Sequence, residues 1–195
     1  MMYLHKDEMI IDIKKNGIVF RDFHKIQYVY CVLEGVVKVF KYTEDGNEKI
    51  VDILTDNDYL AVTLMFGDDT EYNLSCIALS DVKLVKVTVE QMYEALQDKN
   101  VLKNYINFTS RKLMNFKNYL ANTSEIEERI LIALNELYER FGKCIGKNKF
   151  VDLPFSKTDL ASFIGLRRET LSRKLTSLSN EGKIKVEKNR IYLKV

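Results

Sequence analysis

The sequence predicts an α+β protein in three parts: an N-terminal antiparallel β-roll of cupin-like or jelly-roll type, a long dimerisation helix, and a C-terminal winged helix-turn-helix. Three observations carry this. Up to about residue 88, short apolar and β-branched runs alternate with turn dipeptides. From Leu102 the apolar spacing changes to that of a helix with a heptad seam. Beyond residue 155, Ala161, Gly165 and Leu171 stand at the spacing by which two helices cross around a tight turn. The parts are assigned to residues 1–100, 101–122 and 123–195.

In the first part, Val29–Leu33 is apolar, Glu34-Gly35 signals a turn, and Val36–Tyr42 is rich in the β-branched and aromatic residues that suit a pleated surface. Asp45-Gly46 predicts a hairpin turn before a strand at Lys49–Leu54. Asp56-Asn57-Asp58 and Gly67-Asp68-Asp69 are further turns. Tyr72–Leu79 and Val82–Val87 are two more strands, split by Ser80-Asp81. Many short strands at this spacing point to a sandwich or barrel.

Val89–Gln97 has the pattern of a short helix. Leu102, Ile106, Thr109, Leu113, Phe116 and Leu120 then follow at steps of 4, 3, 4, 3 and 4, with Thr109 the one polar member. The rest of that helix carries Lys103, Arg111, Lys112 and Lys117 and no acid. A long helix with such a seam predicts a homodimer through Leu102, Ile106, Leu113, Phe116 and Leu120. Ser124-Glu125-Ile126-Glu127 reads as a capping box. It opens a helix whose apolar face is Ile126, Ile130, Leu134, Leu137 and Phe141, with Gly142 closing it. The domain boundary is placed at Asn122–Ser124, and a strand at Phe150–Leu153 precedes Pro154.

Ser156-Lys157-Thr158-Asp159 is a second capping box. It starts a short helix with Leu160, Ala161 and Ile164 facing inward, which Gly165 ends. A second helix spans about Arg168 to Asn180. Leu171, Leu175 and Leu178 form its buried stripe, while Glu169, Ser172, Arg173 and Thr176 form a polar face near its N-terminal half, the half that enters a major groove. Arginine can bond guanine O6 and N7 together, and glutamate can accept from cytosine N4. Arg168, Glu169, Ser172 and Arg173 are the candidate base-reading residues. Lys157, Arg167, Thr176, Lys188 and Arg190 are the candidate phosphate and wing contacts, which fix register without reading sequence. Lys183–Val195 reads as two strands turning at Lys188-Asn189-Arg190.

Charge agrees with a polyanion partner for the second half. Residues 1–100 hold 11 Lys+Arg against 18 Asp+Glu, whereas residues 101–195 hold 19 against 10. Met1–Lys15 lacks the apolar core of a signal peptide, and no run approaches the roughly 18 apolar residues of a spanning helix. Cys31, Cys76 and Cys144 are odd in number and far apart, so buried thiols in a reducing cytoplasm are expected, without a zinc or iron–sulfur site. His5 and His24 are isolated, which argues against a metalloenzyme of cupin type. No paired carboxylates, nucleophile elbow or phosphate-binding glycine loop is evident, so no enzyme and no cofactor is expected. The competing readings are a ligand-binding or protein-interaction module whose basic helices serve a protein partner, and the cupin-like metalloenzyme.

Residues 155–184, FSKTDLASFIGLRRETLSRKLTSLSNEGKI, resemble the winged helix-turn-helix of the Crp/Fnr superfamily, with its RETxSR recognition helix at Arg168–Arg173. VLEGVVKVFKYTEDGNEKIVDIL resembles the family's cyclic-nucleotide-binding-like sensor roll, and the heptad helix occupies the place of its dimer helix. The resemblance implies a dimeric bacterial transcription regulator in which Glu169 and Arg173 read base edges. Ser172 goes with the Fnr-like branch and near-palindromic TTGA-type half-sites. If the protein activates, RNA polymerase is the implied further partner.

Three departures bear on mechanism. Ala61-Val62 stands where nucleotide-binding members have Gly-Glu for the ribose, and Tyr72-Asn73 stands where they have Arg-Ser/Thr for the cyclic phosphate. The tentative effector pocket is thus Ala61, Val62, Tyr72 and Asn73, without the charge-assisted bonds that would hold cyclic AMP. The Fnr-type N-terminal cysteine cluster is missing. Arg167 replaces the usual Ser or Thr cap, and Lys174 stands where an apolar residue is commoner, its stem expected on the core and its ammonium exposed. The expected effector is an unknown small molecule, or none.

Overall fold

The computed structural model describes residues 9–121, 125–145 and 148–193. Within them the chain forms two compact units, dividing between Lys112 and Leu113. The first is a β-roll. Strands β1 (Met9–Ile13), β8 (Val82–Thr88), β3 (Tyr28–Glu34) and β6 (Tyr59–Leu60) make one antiparallel sheet in that order. Strands β2 (Ile18–Phe20), β7 (Ser75–Ala78), β4 (Val37–Tyr42) and β5 (Glu48–Leu54) make the other. Val29, Val32, Val37, Cys76, Ala78, Leu84 and Val85 are fully buried; since adjacent strand residues face opposite ways, the burial of both Leu84 and Val85 means that β8 is covered on both faces there.

The roll matches the predicted class, with local differences. Asp45-Gly46 does lie in the hairpin turn between β4 and β5, a five-residue loop closed by Gly46 N–H donating to the Thr43 carbonyl at 2.8 Å. The predicted strand Tyr72–Leu79 narrows to Ser75–Ala78, because Tyr72 is committed to the loop at His24: its N–H donates to the His24 carbonyl at 2.9 Å. A 3-10 helix, Val62–Phe66, follows β6.

Helix α1 (Val89–Ala95) is capped by Thr88, whose hydroxyl accepts from Gln91 N–H at 3.2 Å while the Gln91 side chain accepts from Thr88 N–H at 2.8 Å. Helix α2 (Lys99–Ala121) starts on Asp98, whose carboxylate accepts from Asn100 and Val101 N–H. Two adjacent ion pairs tie α2 to the roll. Arg111 lies 2.9 Å from Asp58, a carboxylate only 2% exposed, and Lys112 lies 2.5 Å from Asp52.

The second unit contains helix α3 (Ile126–Phe141), with Ile130, Leu134 and Leu137 fully buried. Its N-cap is Glu125, without a side-chain cap bond; the predicted capping residue Ser124 and the boundary at Asn122–Ser124 lie outside the described residues. Gly142 ends α3 as expected, but in an extended conformation (φ −65°) rather than the left-handed one. Its role is close approach, since a Cβ there would fall 2.1 Å from the Tyr138 carbonyl oxygen.

Strands β9 (Gly142–Ile145) and β10 (Asn148–Asp152) come next. Helices α4 (Lys157–Ile164) and α5 (Arg168–Asn180) and strands β11 (Ile184–Glu187) and β12 (Arg190–Leu193) complete the unit. The sheet order is β11-β12-β10-β9, so the two strands predicted at the tail are half of a four-stranded sheet.

Candidate nucleic-acid interface

The helix-turn-helix is built from local chemistry. Ser156 caps α4: its hydroxyl accepts from Asp159 N–H at 3.1 Å, and the Asp159 carboxylate accepts in return from Ser156 N–H at 3.1 Å. Two orphan donors of the first turn are thereby satisfied. At the other end Gly165 adopts φ 74°, ψ 38°, the left-handed region that costs glycine nothing. Leu166 N–H then reaches the Ala161 carbonyl at 2.8 Å, closing the helix in the manner of a Schellman motif. Ala161 and Leu171 are both buried beside this turn.

Helix α5 is divided by burial. Leu171, Leu175 and Leu178 are in the core, whereas Arg168, Glu169, Ser172, Arg173 and Thr176 are exposed. Arg167 is the N-cap and supplies no side-chain cap bond, so the first turn of α5 starts without one, beside the exposed Arg167 and Arg168. Lys157, also exposed, lies in the first turn of α4. Lys157, Arg167, Arg168 and Arg173 make no ion pair among the described residues. The Thr176 hydroxyl, by contrast, donates to the Ser172 carbonyl at 3.1 Å and is occupied within the helix.

The other basic residues of this unit are largely paired. Lys174 does not simply snorkel: its ammonium meets Glu127 of α3 at 2.9 Å. Lys183 pairs with Glu181 at 2.7 Å and reaches Glu127 at 3.8 Å. In the wing, β11 and β12 turn through the two-residue loop Lys188-Asn189, with Lys188 at φ 52°. Arg190 belongs to β12 rather than to the turn; it lies 3.6 Å from Asp152 and over the Phe150 ring. Among the described residues Lys188 is thus the wing cation without an ion pair, and Arg190 is partly neutralised.

One contributor was missed by sequence reasoning. Arg129, on α3, donates to the Ile164 carbonyl at 2.6 Å, holding the C-terminus of α4 at the turn. A Cβ on Gly165 would stand 3.1 Å from the same guanidinium, so Gly165 also makes room for this clasp. With Glu127 on Lys174, α3 grips both helices of the motif. Nothing in the spacing of α3 distinguishes Arg129 from a solvated charge.

On α2 the predicted seam residues are exposed: Leu102 40%, Ile106 50%, Leu113 53% and Phe116 58%. The side chain of Leu120 lies outside the described residues. The roll is instead packed by Val101, Tyr105 and Phe108, which step by 4 and 3 and continue to Lys112. This second stripe, one residue behind the first, was present in the sequence and would have shown that the helix serves two faces.

The roll contains a cavity of about 360 Å³. Of the four tentative effector residues, Ala61, Val62 and Asn73 line it and Tyr72 does not. Tyr72 is buried, stacks on Phe20 at 4.4 Å, and donates its hydroxyl to the Tyr28 carbonyl at 2.6 Å. Ala61 is left-handed, at φ 61°, in the place where the resemblance expects a glycine. Cys31 and Cys76 are buried, and burial pushes the Cys76 thiol up; Cys144 is exposed, against expectation, 3.3 Å from the Tyr138 hydroxyl. No helix among the described residues is long and apolar enough to cross a membrane.

A β-roll with a ligand-sized cavity, a long helix and a winged helix-turn-helix define the class: a helix-turn-helix protein with a cavity-bearing roll. Comparison with known proteins agrees at both ends. The cyclic nucleotide-binding domain family matches residues 10–99, and the Crp-like helix-turn-helix domain family matches residues 128–194. The chain belongs to the Crp/Fnr superfamily of DNA-binding transcriptional regulators.

It is 28% identical over 160 residues to the nitrogen fixation regulation protein FixK of Bradyrhizobium diazoefficiens, across 80% of this chain and 66% of that protein. It is 26% identical to the transcriptional activatory protein AadR of Rhodopseudomonas palustris, across 78% of this chain and 64% of that one. These alignments therefore span a little under two thirds of each relative's length. The solved structure of FixK2 from Bradyrhizobium japonicum superimposes with a TM-score of 0.78 at 21% identity, covering 96% of this chain and 93% of that one, and so shares the fold.

Proposed function

We propose that this protein is a homodimeric transcription factor in which α5 reads near-palindromic TTGA-type half-sites through Arg168, Glu169, Ser172 and Arg173. The observation that carries this is the outward face of α5. Its side chains are exposed and polar, its two central cations are free of ion pairs among the described residues, and its opposite face is locked by three buried leucines. Arg173 is free to bond a guanine bidentately, and Glu169 to accept from a cytosine. The uncapped start of α5 with Arg167 and Arg168, together with Lys157 and Lys188, suits phosphate contacts that position the helix.

Dimerisation through Leu102, Ile106, Leu113, Phe116 and Leu120 is supported by the exposure of the first four. These large apolar side chains recur at heptad spacing on a helix that already packs the roll with another face. A two-fold axis would set recognition helices about 34 Å apart, on successive major-groove faces. Cyclic AMP is not the effector in this reading, since no arginine lines the cavity. The protein works on DNA in the cytoplasm, with RNA polymerase as its partner wherever it activates.

Selection of bound sequences from random duplexes by the full chain tests the proposal. The expected product is a two-fold near-palindrome with TTGA-like arms, bound with an affinity that falls steeply with salt. No enrichment, or salt-insensitive binding, would refute it. Sedimentation should give a dimer at micromolar concentration.

A further inference from the structure

We infer that the roll's cavity takes a small, uncharged, predominantly apolar ligand, and not a nucleotide or other phosphate-bearing molecule. This rests on reading the roll as a sensor and names the class of molecule the same site would sense.

The cavity's size, about 360 Å³, is at the small end of the roughly 300–1,000 Å³ typical of ligand sites. Phe20, Tyr59, Tyr105 and Phe108 line it. Tyr59 meets Tyr105 edge-on at 5.4 Å and Phe108 at 5.6 Å, so the rings brace one another. Burial pushes the Tyr59 phenol up to about 12 and raises that of Tyr105, so both stay neutral donors. The charged lining residues are Asp52 and Lys112, whose groups lie 2.5 Å apart and cancel.

A phosphate entering here would have to draw Lys112 away from Asp52, leaving that carboxylate beside a second anion. One shared ammonium does not repay the desolvation of both. A neutral apolar molecule leaves the ion pair whole and gains by removing its surface, and that of the rings, from water. Thr63 and Asn73 can bond one polar group of the ligand and fix its orientation, whereas the Thr109 hydroxyl already donates to the Tyr105 and Ile106 carbonyls.

Calorimetric titration of the full chain with indole, phenylacetate and cyclic AMP tests the inference, since the first two match in size and differ in charge. Indole should bind at one site per chain, at least about tenfold tighter than phenylacetate, and cyclic AMP should give no saturable heat. Val51 is half-exposed on β5 at the cavity wall, so Val51→Trp should fold normally, shown by an unchanged circular dichroism spectrum, and weaken indole at least about tenfold. Asp52→Asn frees Lys112 and should strengthen phenylacetate at least about fivefold while leaving indole unchanged. Cyclic AMP or phenylacetate binding ahead of indole, in a manner that Val51→Trp blocks, would overturn the ligand class and leave the sensor reading standing. If no probe binds in a manner that Val51→Trp blocks, both fall.

Discussion

The outward face of α5 and the cavity of the roll are opposite solutions to recognition. The first is convex, exposed and charged, with cations left unpaired among the described residues while their neighbours Lys174, Lys183 and Arg190 are tied to carboxylates. The second is concave and ring-lined, and its two charges are spent on each other. Free charge marks the surface suited to a polyanion, and cancelled charge marks the one suited to a neutral ligand. Two units of one chain can therefore be assigned different partners by the same electrostatic argument.

The largest expected way to break the comparison is to remove the support under α5 and ask whether the cavity notices. Leu178→Ala empties a fully buried site and should cost about 2–5 kcal/mol in urea unfolding of the winged unit. DNA binding should be lost while indole binding by the roll survives; joint loss would show that the two surfaces are not separable. Next, Leu113→Glu puts a charge into the exposed seam, twice per dimer by symmetry. Sedimentation should then give monomers at micromolar concentration, and affinity for a two-arm site should fall by more than about tenfold.

A smaller effect sharpens the picture of how α4 is held. Ser156→Ala removes one half of the capping box and should cost about 0.5–2 kcal/mol, read as a lowered Tm of the winged unit.

The smallest effect concerns Glu181, whose carboxyl is held below the usual range first by the Lys183 ammonium and then by the Ser177 hydroxyl. A depressed folded value means the contribution is complete above the ordinary carboxylate pKa and fades as pH falls through the lower folded one. The urea midpoint should be insensitive to this pair between pH 7 and 5, and Glu181→Gln should flatten only the acid limb. Because the pair lies at the surface, a large change at pH 7 would contradict this account.

Legibility in the sequence followed the range of the forces involved. The motif from Ser156 to Leu178 was readable because its determinants are local: a cap three residues from its partner, a glycine at a left-handed turn, and leucines at helical period. The strands β1, β2, β6 and β9 were not, since they have two to five residues each and are held by pairing with distant strands. The seam on α2 was visible as a heptad, but its companion stripe was hidden by mixed chemistry, two aromatics and a lysine.

The cavity could be located only in part. Ala61, Val62 and Asn73 do line it, yet its rings come from β2, β6 and α2, which converge only on folding. Tyr72 looked like a ligand position and is a core residue, because stacking on Phe20 and a bond to the Tyr28 carbonyl draw it inward. Ala61 bears on the same question: it adopts the left-handed backbone at the position where the resemblance expects a glycine.

The central claim is that Arg173 reads a base. Its most direct test is the affinity of wild-type protein and Arg173→Ala for a matched duplex and for one mismatched in each half-site, at one salt concentration. The predicted result is that the wild type discriminates and the variant loses about 1–3 kcal/mol of that discrimination while its affinity for mismatched DNA barely changes. Equal discrimination by the two proteins would contradict the account.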